Sequence, residues 1–152
     1  MKYAARTTVG SDRSRSEIER TLTRYGASQF AYGWSGESAM IGFKFSSRLI
    51  RFVVDMPKAS ETRTATGRRP RNASKAHDQM TRQKWRALSL GIKAKLELVE
   101  SGITTFEQEF LAQTVLPSGQ TFGEWATPQL DAIYATGNIP PLLAAPTIVN
   151  EE

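Results

Sequence analysis

FAYGWSGESAMIGFKFSSRLIRFVVDMP, residues 30–57, is the stretch whose reading decides the fold. Phe30, Tyr32 and Trp34 alternate with Ala31 and Gly33, the period of two that marks a strand with one apolar face. Ser35-Gly36-Glu37 reads as a turn. Ala39, Ile41, Phe43 and Phe45 then alternate with Met40, Gly42 and Lys44 in a second strand. Ser46-Ser47 makes a tight connection. Ile50, Phe52, Val54 and Met56 form the apolar set of a third strand, which stops at Pro57 because proline cannot donate to a sheet ladder. The pattern predicts a three-stranded antiparallel meander whose apolar face needs a cover, and helices on either side are the candidates.

Working outward, the spacing of Ile18, Leu22 and Tyr25 predicts a helix over about 14–25, with Ser14 and Glu17 as a capping box and Gly26 as its stop. Residues 1–13 read as an irregular basic lead-in. Beyond the strands, 58–73 has no periodicity, and Arg63, Arg68, Arg69 and Arg71 face one acid, Glu61, so this segment reads as a basic flexible loop. A long helix is expected over about 74–101, stopped by Gly102 and packed on the sheet by Trp85, Leu88, Ile92, Leu96 and Val99. A short helix opened by Thr104 and Glu107 should carry Phe106, Phe110 and Leu111. Thr127-Pro128 should open a last helix ending near Gly137. Residues 138–152, with Pro140, Pro141 and Pro146, read as an extended tail. The whole of 1–152 is expected to be one α+β domain.

Charge is divided along the chain. All twenty Lys and Arg lie between Lys2 and Lys95, against seven acids, for a net +13. Residues 96–152 hold eight acids and no base, a net −8. Such a split points to one surface that meets phosphate and another that faces elsewhere. Within the long helix Lys75, Arg82, Arg86 and Lys93 align on a stripe off the apolar face, while Glu97 and Glu100 close its last turns. That order opposes the helix dipole. A helix start that gathers cations suits an anion, and the expected nucleic-acid-binding set is Arg63, Arg68, Arg69, Arg71, Lys75, Arg82, Arg86 and Lys93. The partner expected is the phosphate backbone of DNA or RNA. A second reading gives the acidic C-terminal part a host or phage protein to bind. Tyr32 and Trp34 would stack on unpaired bases only if their face were open, and the pattern itself assigns them to the core.

Other classes find little support. His77 is the sole histidine, and neither a nucleophile-elbow sequence nor a phosphate-binding glycine motif occurs. Glu107 and Glu109 diverge on a helix. No catalytic residue, metal site or cofactor is expected, and the reading leans away from an enzyme. Zero Cys fits a reducing cytoplasm. No apolar run approaches the ~18 residues of a membrane helix.

The order helix, three-stranded meander, helix is similar to that of double-stranded RNA binding domains. The likeness of residues 14–101 is one of topology only, since the family's lysine-rich motif and loop sequence are not evident. RSRSEIERTLTRYGA at 13–27 and the stretch 83–125, with KWRALSLGIKAKLELVE and ITTFEQEFL, resemble small proteins encoded by temperate phages and prophages. That resemblance implies a setting: an accessory to phage DNA replication or recombination, or an inhibitor of a host system. It brings no catalytic residues.

Overall fold

The structure, a computed structural model, describes residues 10–56, 58 and 73–139. The lead-in before residue 10, the segment 59–72 with Arg63, Arg68, Arg69 and Arg71, and the tail from 140 lie outside the described residues. The architecture is α+β, as the periodicities imply. Its elements run α1 (Ser11–Arg24), β1 (Ser28–Ser35), β2 (Ser38–Phe45), β3 (Arg48–Asp55), α2 (Ala73–Glu100), α3 (Phe106–Glu109), a 3-10 turn at Leu111–Gln113, and α4 (Phe122–Thr136).

The three strands pair antiparallel in sequence order, with Ile41 opposite Phe52 and Phe43 opposite Ile50. Two-residue loops join them. Gly36 and Ser46 supply the positive φ (59° and 53°) that such loops need at their first position. A bulge between Ser28 and Ala31 places Gln29 in the left-handed region and ends regular pairing at the start of β1. The free edge of β3 is partly closed by residues 114–115: the Val115 N–H donates to the Leu49 carbonyl at 2.8 Å.

The inner face of the sheet supplies Ala39, Ile41, Phe43, Ile50 and Val54 to the core. Helix α1 adds Ile18 and Leu22, and α2 adds Trp85, Ile92 and Leu96. At the far end Phe106 stacks on Phe45 and Phe110, closing the core below α2. Each fully buried side chain of this size contributes about 1.5–3 kcal/mol. Helix α2 ends at Gly102 (φ 75°), where the Ile103 N–H returns to the Leu98 carbonyl at 3.1 Å.

Three helix starts differ from the sequence expectation. Helix α1 begins at Ser11 behind Gly10, so residues 11–13 are helical and Ser14 is an interior residue, fully buried. Its Glu17 is drawn to α2 and makes no capping box. Helix α3 is capped by Thr105 with Gln108, one residue later than expected. Helix α4 is capped by Thr121, whose Oγ accepts from the Glu124 N–H at 3.2 Å while the Glu124 carboxylate accepts the Thr121 N–H at 2.7 Å. Pro128 therefore sits inside α4, where the Thr127 hydroxyl donates to the Gly123 carbonyl one turn back. No residue of α4 is fully buried.

Candidate nucleic-acid interface

Helices α1 and α2 lie side by side and run the same way: Glu17 of α1 reaches Arg86, Ser89 and Lys93, and Tyr25, just past the end of α1, donates to Glu100 at 2.6 Å. The parallel course follows from topology, because an odd number of antiparallel strands lies between the two helices. It puts the outer stripe of α1 beside the basic stripe of α2. On α1 that stripe is Arg13, Arg20 and Arg24, spaced seven and four residues apart and exposed.

Between the helices is a cleft of about 190 Å³ lined by Arg13, Ser16, Glu17, Arg20 and Arg86. Three guanidiniums and one hydroxyl meet a single carboxylate there. The volume lies below the ~300–1,000 Å³ of organic-ligand pockets, and the donor set suits a compact anion. Glu17 is the pivot. Its carboxylate accepts from Arg86 at 2.7 Å and is ion-paired with Lys93, and both the Glu17 and Arg86 side chains are one-quarter exposed. The Lys93 ammonium, then the Arg86 guanidinium, holds the Glu17 carboxyl below the usual carboxylate range against the opposing effect of burial.

Of the sequence-derived set, Lys75 is exposed near the start of α2. Arg82 is half-buried, with its guanidinium donating to Gln79 at 2.6 and 3.2 Å. Arg86 and Lys93 flank the cleft and also pin α1 to α2, a packing role that a stripe of solvated charges would not have. The first turn of α2 contains no acid and its last turn no base, so its charges do oppose its dipole. Arg13, Arg20 and Arg24 were missed. Their spacing was visible, but only the packing of α1 shows that Arg13 and Arg20 share a cleft with Arg86.

Next to the cleft, Arg15 spreads over two rings, 5.3 Å from the Trp85 centroid and 5.8 Å from that of Tyr32. The Tyr32 hydroxyl donates to Glu19 at 2.7 Å. Burial, reinforced by that hydrogen bond, pushes the Tyr32 pKa well up from its ordinary value. Trp34, two residues on, is 61% exposed and Tyr32 itself 38%, so neither joins the core as the pattern suggests.

Among the described residues no helix is long and apolar enough to cross a membrane, and no three His, Asp or Glu side chains are grouped to hold a metal ion. The chain matches no protein-family profile, no curated protein and no solved structure.

Proposed function

We propose that this protein is a non-catalytic nucleic-acid-binding protein that grips the phosphate backbone with the paired faces of α1 and α2. The observation that carries this reading is the cleft in which Arg13, Arg20 and Arg86 converge around one carboxylate. Segregation of charge supports it: beyond residue 95 the chain contains no base, so α3 and α4 offer phosphate nothing. Phosphate contacts fix position and confer no sequence preference by themselves. The phage resemblance gives the reading its setting, an accessory to DNA replication or recombination in the cytoplasm.

The test is anisotropy of a labelled oligonucleotide across a salt series. Three to five phosphate contacts should make log K fall with log salt at a slope of roughly −2 to −4.5. Arg13→Glu with Arg20→Glu should abolish binding and leave the melting temperature unchanged, since both side chains point to solvent. A flat salt response, or unchanged affinity in a folded double variant, overturns the proposal. One observation favours a second reading, a protein partner for the acidic part: α4 exposes Leu130 and Tyr134 beside Glu124 and Asp131. A discrete protein retained in a pull-down with no nucleic acid would select it.

A further inference from the structure

Beyond Tyr32 no large side chain among the described residues roofs the inner face of β1. Trp34 pairs with Ala39 across the sheet, and its ring borders a recess of about 410 Å³. The floor is Met56, fixed there by its N–H, which donates to the Glu37 carbonyl at 2.9 Å. The wall is the sheet-facing side of α2 at His77, Asp78 and Thr81. Lys58 closes the rim, its ammonium 3.6 Å from the Glu37 carboxylate.

Size, shape and charge together narrow the occupant. The volume lies within the ~300–1,000 Å³ of small-molecule sites, unlike the arginine cleft. An indole with most of its surface open is a stacking platform for a planar ring. The polar groups are two carboxylates, an ammonium and an imidazole, with no excess of positive charge. Such a lining gives a phosphate no net attraction. It suits a neutral heterocycle with donors and acceptors around its edge. The Thr81 hydroxyl already donates to the His77 carbonyl at 3.0 Å, which leaves its oxygen as an acceptor. Helix α2 is the common wall of the two sites. Thr81 faces the recess, and the next residue, Arg82, lies on the basic stripe of α2 that continues to Arg86.

We infer that the Trp34 recess seats an unpaired nucleobase, stacked on the indole, while the phosphates of the same strand lie on the α1–α2 cations. The inference rests on the nucleic-acid reading for its second half and extends it from the backbone to strand state. A base inside a duplex cannot reach Trp34, so the site selects single strands, ends or flipped bases.

The experiment measures affinities of equal-length single-stranded and duplex oligonucleotides, and of a mononucleotide, for the parent, Trp34→Ala and Trp34→Phe. The parent should prefer the single strand. Trp34→Ala should lose about 5- to 150-fold of single-strand affinity, the effect of one base stack. Its duplex affinity and melting temperature should not move, and Trp34→Phe should restore most of the loss. Equal affinity of Trp34→Ala and parent for the single strand overturns the inference and leaves backbone binding intact. A mononucleotide bound in a Trp34-dependent way, with no polynucleotide bound, keeps the base site and refutes the nucleic-acid reading. Absence of all binding refutes both.

Discussion

Replacing Glu17 by Gln tests the cleft and the packing beneath it in opposite directions. The carboxylate is three-quarters covered and touches three α2 side chains: Arg86, Lys93 and Ser89 at 3.4 Å. Exposed ion pairs are worth about 0.2–1 kcal/mol and hydrogen bonds to charged groups about 1.5–3. A shielded but not buried bridge belongs near the overlap, so Glu17→Gln should cost about 1–2 kcal/mol. In a domain of this size that lowers Tm by roughly 2–8 °C. The same change removes the one negative charge from the cleft. Opposite or like charges ~4 Å apart interact by about 1 kcal/mol in water, so affinity for an oligonucleotide should rise about fivefold, with a steeper salt slope. Stability is read by thermal melting and affinity by anisotropy on the same samples. A variant that melts with the parent would show that the bridge is solvated and that Ile18 and Leu22 alone hold α1. A variant that binds more weakly would show that the cleft is not where the anion sits.

Three further outcomes follow from local geometry. Because the folded Glu17 pKa is below its ordinary value of 4.5, its contribution is present above that pH and lost as pH falls through the folded pKa; acid titration of Tm should therefore fall less steeply in Glu17→Gln than in the parent below about pH 4.5. Ser14 is fully buried and its hydroxyl has no partner among the described residues, so Ser14→Ala should raise stability by about 0.5–1 kcal/mol, seen as a higher urea midpoint with unchanged slope. Trp85 is 2% exposed beneath Arg15, and Trp85→Ala should cost about 3–5 kcal/mol by thermal or urea melting, with any loss of binding tracking unfolding.

The sheet and the long helix were legible because one apolar period fits each: two in 39–56, and 3.6 from Trp85 to Val99. The starts of α1 and α4 were not, and for different reasons. At 14–17 the capping-box signature is present, yet Glu17 finds two cations across the helix interface, partners stronger than a backbone N–H. At 121–128 two valid start signals compete, Thr121-Phe-Gly-Glu124 and Thr127-Pro128. The reciprocal hydrogen bonds of the first form, and Pro128 is carried inside the helix one turn further on. The basic stripe of α2 was readable on its own. Its continuation across Arg13 and Arg20 depends on α1 lying parallel to α2, a tertiary fact that no local pattern states.

Trp34 shows how a correct strand reading still misplaces a side chain. Alternation assigned it to the inner face of β1, and it is there. A place on the inner face buries a residue only where something large lies opposite. The first twelve residues of α2, 73–84, contain Met80 as their one large apolar residue, and the apolar stripe starts at Trp85. Trp85 roofs Tyr32, with the ring centroids 6.4 Å apart. One pleat further on, α2 offers only His77, Asp78 and Thr81, which are too small and too polar to cover an indole. The opening at Trp34 is thus written in the polar start of α2 and not in the strand. The same polar start brings Lys75 and Arg82 onto the neighbouring stripe. A single compositional feature, twelve residues of helix with almost no apolar content, therefore exposes the aromatic surface and supplies cations beside it.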